Sequence, residues 1–232
     1  MLFIRLRNDK TIDKLKVNHY VQKWYVMSVL TSRYGASPES QMERDLRAIK
    51  DKGFLRFYDE VMANYGDDYW NVSLPQTLQT SSSTAPAFCV FLAAQCKMSE
   101  DSFLGNGAKV RDLIDTADIH HLFPKKYLQK EGIKTTIRYN QVANYAVLSK
   151  PVNIAIGAKP PYEYMKEIND ACMNGQESKY TTIKTLEDLE TNCLLNCIPS
   201  GFKDMTAGDY DHFLEQRRML MAQKLKDYFY SL

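Results

Sequence analysis

In Asp118-Ile119-His120-His121-Leu122-Phe123-Pro124, two of the chain's four histidines stand side by side. Adjacent side chains on a regular strand point to opposite faces. A joint site therefore needs this pair at a strand end or in a loop, which is where Pro124 places it. One neutral imidazole can bind a metal ion, and the other, titrating near neutrality, can take a proton from water. Asn140, Asn144 and Asn153 follow, and an asparagine carbonyl oxygen is a hard donor acceptable to magnesium. The other two histidines stay outside this reading. His19 lies on an apolar helix as a packed or surface residue, and His212 is expected to be exposed at the start of the last helix.

Outward from the pair, residues 105–168 differ from the rest of the chain. Gly105, Gly107, Gly132 and Gly157 punctuate short segments. Val110–Ile119 reads as a helix followed by a short strand, Ala143–Leu148 as a second strand, and Pro151–Ile156 as the start of a short helix. Ten basic residues against six acidic ones give this stretch a net +4, within a chain whose net charge is +2. A local basic zone on a near-neutral protein suits a polyanionic partner.

Both flanks read as helical. Val17, Val21, Trp24, Met27 and Leu30 recur at helical spacing, and Gly35 is expected to close that run. Ser37-Pro38-Glu39 has the form of a helix start, with a capping serine, proline at the first position and an acid in the first turn. Met42, Leu46 and Ile49 mark the apolar face of that helix, and Phe54, Phe57 and Val61 suggest a third. Tyr65–Thr84 reads as loop, Ala85–Met98 as a buried helix and Leu186–Leu195 as another. Asp209 or Asp211 is expected to cap a long last helix lined by Leu214, Met221, Leu225, Tyr228 and Leu232. The expected class is α+β, mostly α, organised as a helical region (1–104), a central core (105–168) and a C-terminal helical region (169–232).

Composition excludes several alternatives. The chain has 232 residues, 44% of them hydrophobic, enough for a proper core. With only 10 glycines and 8 prolines it is neither collagen-like nor disordered. Its small net charge excludes a globally basic binder. No apolar stretch is long enough to span a bilayer, and Met1–Arg7 lacks a signal-peptide core, so no membrane association is expected; the cysteine usage implies a reducing, cytoplasmic setting. Five cysteines at irregular spacing are not a disulfide framework. Cys193 and Cys197 lie four apart without a nearby histidine, which favours buried free thiols over a zinc site.

The run from His120 to Pro124, with Asn144 and Asn153 downstream, resembles an HNH nuclease motif. More narrowly, the segment from Asp118 through Pro161-Tyr162 resembles the nuclease half of GmrSD-type, modification-dependent restriction endonucleases. Tyr34–Glu39 and Phe213-Leu214-Glu215-Gln216-Arg217-Arg218 fit the same family. The resemblance implies a small ββα-metal (His-Me finger) motif embedded in a helical domain. It implies that His121 activates water, that His120 and Asn153 hold one divalent cation (Mg²⁺ or Mn²⁺), and that Asn144 braces the loop presenting His121. Asp118 is left open between orienting an imidazole and capping a turn. Lys125, Lys126, Arg138 and Lys150 become candidates for backbone phosphate contacts.

The implied activity is a metal-dependent DNA endonuclease or nickase of a phage-restriction system, acting on DNA that includes modified phage DNA. The chain shows no glycine-rich phosphate loop, so nucleotide hydrolysis and modification sensing are expected of a separate domain or subunit. The competing reading is a non-catalytic module of the same descent that holds nucleic acid or a partner without cutting.

Overall fold

The computed structural model describes residues 2–114 and 118–232; the side chains of Leu2, Phe3, Arg5 and Asp118 lie outside the description. The architecture is α+β and mostly α. The first helices are α1 (Leu2–Asn8), α2 (Val17–Leu30), α3 (Pro38–Lys52) and α4 (Phe54–Met62). Next come α5 (Leu74–Thr77), α6 (Pro86–Lys97) and α7 (Val110–Leu113). Strand β1 (Asp118–His121) is separated from β2 (Tyr145–Leu148) by α8 (Lys125–Lys130) and α9 (Thr136–Tyr139). The chain ends with α10 (Lys150–Ile156), α11 (Pro161–Met173), α12 (Leu186–Leu195) and α13 (Tyr210–Ser231).

α2 buries Val17, Trp24, Met27 and Leu30 as the spacing predicts. It stops at Leu30, before Gly35, because Ser32 turns to a positive φ of 50°. α3 begins at Pro38, but Ser37 makes no side-chain cap, so that part of the expected start signal is not used. The apolar face of α3 is also less covered than expected. Met42 and Leu46 are half exposed and line an open groove of about 880 Å³ with Leu6, Val21, Trp24 and Phe54. Gly53, at φ 81°, closes α3 and opens α4, a conformation that other residues adopt only under strain.

Tyr65–Thr84 is not simply loop. A π-helical turn (Tyr69–Ser73) runs into α5 and buries Trp70, Leu74 and Leu78 at four-residue spacing. Pro75 falls in the first turn of α5, where a missing N–H costs little. α13, at 22 residues, is roughly 33 Å long. Phe213, Arg217, Met221, Leu225 and Phe229 make its buried stripe at four-residue spacing. Neither expected acid caps it. Asp209 precedes α13, but its carboxylate serves the preceding turn through Thr206, and Asp211 pairs with Arg138.

The two strands pair antiparallel in the register Asp118↔Leu148, Ile119↔Val147, His120↔Ala146 and His121↔Tyr145. All four residues of β2 are buried, which is why it reads as an unbroken apolar run without alternation. α10 follows β2 after a single residue, so strand, strand and helix form one compact unit. One apolar core draws on all three stretches of sequence, from Val26 through Leu122, Tyr164 and Phe213 to Phe229. A smaller aromatic cluster joins Trp24, Phe54, Phe57 and Tyr58 with Leu6 and Ile12. All five cysteines are free. Of the pair expected to be buried thiols, Cys197 is buried and Cys193 partly so; Cys172 is also buried, whereas Cys89 is exposed. Among the described residues, no helix is long and apolar enough to cross a membrane.

Candidate metal and base site

The histidine pair falls at the last two positions of β1. The strand's alternation sends the two rings in different directions, and each meets its own asparagine. His120 is 3% exposed, and its Nδ1 lies 2.7 Å from Asn153 Oδ1 on α10. His121 is half-buried, and its Nε2 lies 2.8 Å from Asn140 Oδ1 just after α9. An asparagine Oδ1 can only accept, so His121 carries its proton on Nε2 and keeps the lone pair on Nδ1. The edge of Tyr145 supports the His121 ring, with centroids 5.1 Å apart at 84°.

Burial pushes both imidazoles below their ordinary pKa. For His120 the shift is large, down to about 4; the bond to Asn153 opposes it and the neighbouring His121 adds to it. For His121, burial again dominates, the Asn140 bond opposes, and the positive charge of Lys125 contributes in the same direction as burial. Both rings are therefore neutral at physiological pH. A neutral ring is the form that ligates a metal or accepts a proton.

The loop between β1 and α8 is tied down by hydrogen bonds from Asn144 and from α11. Asn144 is fully buried. Its Oδ1 accepts from the Phe123 N–H at 2.8 Å, and its Nδ2 donates to the carbonyls of Phe123 and Tyr139 at 3.1 and 3.2 Å. The Leu122 N–H donates to the backbone carbonyl of Asn144 at 2.8 Å. Tyr164 on α11 donates its hydroxyl to the Leu122 carbonyl at 2.9 Å. Asn144, in the turn Val142–Asn144 that precedes β2 and not in the strand expected from Ala143, thus joins the start of β2 to the residues that immediately follow His121.

The donor set at His120 and Asn153 fits a divalent ion. As at His121, His120 donates from Nδ1 to the asparagine oxygen, here Asn153 Oδ1. That leaves the ring's lone pair on Nε2, a buried polar atom without a partner among the described residues, as the nitrogen an ion would take. Oxygen donors suit Mg²⁺ and Mn²⁺, and an imidazole shifts the balance toward Mn²⁺. Among the described residues, no group of three or more His, Cys, Asp or Glu is gathered together. An ion here would complete its shell with water and substrate oxygens. The open role of Asp118 falls on a side chain outside the described residues.

The basic candidates separate in the structure. Lys125 stands over the Tyr139 ring at 5.0 Å, close enough to His121 to affect its titration. Lys126 is exposed and lines a polar cleft with Lys130, Glu131, Lys159 and Glu163. Lys150 is exposed at the first position of α10. Arg138 is exposed but paired with Asp211 at 3.0 Å through both carboxylate oxygens, so a phosphate would have to displace that carboxylate. His19 is partly buried with Nδ1 on the Leu232 carbonyl, and His212 is exposed; neither approaches the site.

Asn140, read from sequence only as one of three possible oxygen donors because it lies outside the strand, strand and helix segments, is instead the partner of the His121 ring. Its signal is its closeness to Asn144 in sequence, which the turn between Val142 and Asn144 converts into a second asparagine beside the hairpin.

No protein-family model matches the chain, and no solved structure is similar to it. The chain is 26% identical, over 239 aligned positions, to the protein described as uncharacterized protein MJ0686 of Methanocaldococcus jannaschii. The similarity covers 97% of this chain and 39% of that protein, so the chain spans well under half the length of its relative.

Proposed function

We propose that the chain is a metal-dependent DNA endonuclease of the HNH kind, using one divalent cation to hydrolyse phosphodiester bonds. One juxtaposition carries this reading. An antiparallel hairpin ends in two neutral histidines, its following helix places Asn153 on the first of them, and a buried asparagine braces the turn after the second. His121 Nδ1 takes the proton of a water molecule as that water attacks phosphorus. Asn140 accepts from the ring's other nitrogen, Nε2, and so keeps the accepting nitrogen free. Asn144 fixes the loop so that the base does not swing away. His120 and Asn153 hold the ion, which when bound supplies charge stabilisation to the scissile phosphate and the leaving oxygen. Lys125, Lys126 and Lys150 are free to meet the phosphate backbone. We place the activity in a phage-restriction system. The target includes modified phage DNA, and nucleotide hydrolysis and sensing belong to a separate domain or subunit.

The test is relaxation or linearisation of a supercoiled plasmid with Mn²⁺ or Mg²⁺, with and without chelator, beside His121→Ala. Chelator-sensitive cleavage that the variant lacks supports the reading. Salt-sensitive DNA binding without cleavage under either ion would overturn it in favour of a non-catalytic binding module.

A further inference from the structure

Arg217 on α13 is 1% exposed and, among the described residues, buries its guanidinium with no carboxylate paired to it. Nη1 donates to the carbonyls of Ala143 and Tyr145 at 2.9 and 2.7 Å, and Nη2 donates to the carbonyl of Asn196 at 3.1 Å. Nε has no partner. Burial lowers its pKa only to about 10, so the group stays charged. A buried cation held by carbonyls alone is a costly way to fill a core position, and an apolar side chain of similar volume would fill it more cheaply. What the cation supplies is geometry. Ala143 and Tyr145 are the residues on either side of Asn144, so one guanidinium nitrogen holds the carbonyls of both neighbours of the asparagine that braces the His121 loop. Nη2 ties the same group to Asn196, whose side chain reaches the Asp101 and Asn192 carbonyls.

We infer that Arg217 is a positioning residue for the site: through the Ala143 and Tyr145 carbonyls it fixes Asn144, and through Asn144 it fixes the turn that presents His121. This rests on the nuclease reading for its consequence in catalysis, but not for its consequence in structure. The test compares Arg217→Met and Arg217→Lys with Met221→Ala, a core truncation one turn further along the same helix. Amide hydrogen exchange is read at Phe123, whose N–H donates to Asn144, in the full chain without DNA or metal.

In Arg217→Met, Phe123 protection should fall by at least about tenfold more than global stability explains. Met221→Ala should lower the melting temperature while leaving Phe123 in step with the rest of the core. Arg217→Lys, which keeps the charge and three donors, should recover part of the protection, and it decides alone if the methionine variant does not fold. On plasmid DNA, kcat should fall by up to about 100-fold in Arg217→Met with KM nearly unchanged, the signature of a misplaced group rather than lost binding. Phe123 exchange that follows global stability in both arginine variants would overturn the inference, whether or not the wild type cuts DNA. A wild type that does not cut, with Phe123 selectively deprotected in the variants, would leave this inference standing and remove the nuclease reading.

Discussion

His120 and His121 are neighbours in sequence, yet their surroundings suit them to different work. The first is enclosed, donates from Nδ1 to an asparagine oxygen and keeps its lone pair on Nε2, the environment of a ligand. The second is half-buried, with one nitrogen tied to Asn140 and the other carrying a lone pair, the environment of a base. Burial disfavours the imidazolium of His121, so its base form persists through neutral pH and below the ordinary histidine value. Cleavage by the wild type should therefore hold through neutrality and fall only as the pH drops through that depressed value. His121→Ala should lower the rate by about 10²–10⁴ without changing the fold. Asn140→Asp sets a carboxylate against Nε2 and favours the charged ring, so the acid limb of the pH–rate profile should move to higher pH. Rates of both variants across pH 4.5–8 (roughly the histidine range) make the comparison. A limb that stays in place in Asn140→Asp would remove Asn140 from the base's surroundings.

At the scale of elements, strand, strand and helix were readable because each has a local signature. β1 ends at a proline-limited loop, β2 is a four-residue apolar run, and α10 starts with proline at its first turn and ends at Gly157. The helices around them follow apolar spacing. What local signals do not carry is the side chain that reaches across the chain. Arg217 meets Ala143 from 74 residues away and Tyr164 meets Leu122 from 42, and nothing in the spacing of either helix marks those bonds. α3 shows the opposite failure. Its pattern predicts a covered apolar face, but the tertiary fold leaves Met42 and Leu46 half exposed.

The bracing and ligating elements should also separate in experiment. Asn144→Ala strands the Phe123 N–H and carbonyl in the interior, while the Tyr139 carbonyl keeps the Tyr210 hydroxyl, and should cost about 2–3 kcal/mol in denaturant unfolding. Asn153→Ala on α10 removes the oxygen that accepts from the buried His120 Nδ1, so it should cost about 1–2 kcal/mol of stability and also weaken Mn²⁺ binding by more than about tenfold in calorimetry. Equal Mn²⁺ affinity in Asn153→Ala would remove α10 from the metal site.

For the whole molecule, the site and the core are one structure. His121 packs on Tyr145, Tyr145 meets Phe88 on α6, and the loop after β1 is anchored by α11 and β2, so the hairpin is not an appendage. A charge placed at His120 is therefore felt by global stability. The unfolded chain protonates this residue near 6.5, whereas the folded chain does so only near 4, because burial excludes the charged ring. Above about 6.5 neither state takes up the proton and the contribution is fully present. Between 6.5 and 4 only the unfolded chain does, so stability falls as the pH drops, by about 3 kcal/mol in total, and this term levels off below 4. Urea unfolding at intervals from pH 7 to pH 4, with chelator present so that no ion holds the ring neutral, should show this slope beyond that of the carboxylates. In His120→Gln the titrating group is gone and the slope should shrink by that amount. Parallel pH dependence in the two proteins would mean that His120 accepts its proton in the folded state, and the neutral, ligand-ready ring assigned to it would then be wrong.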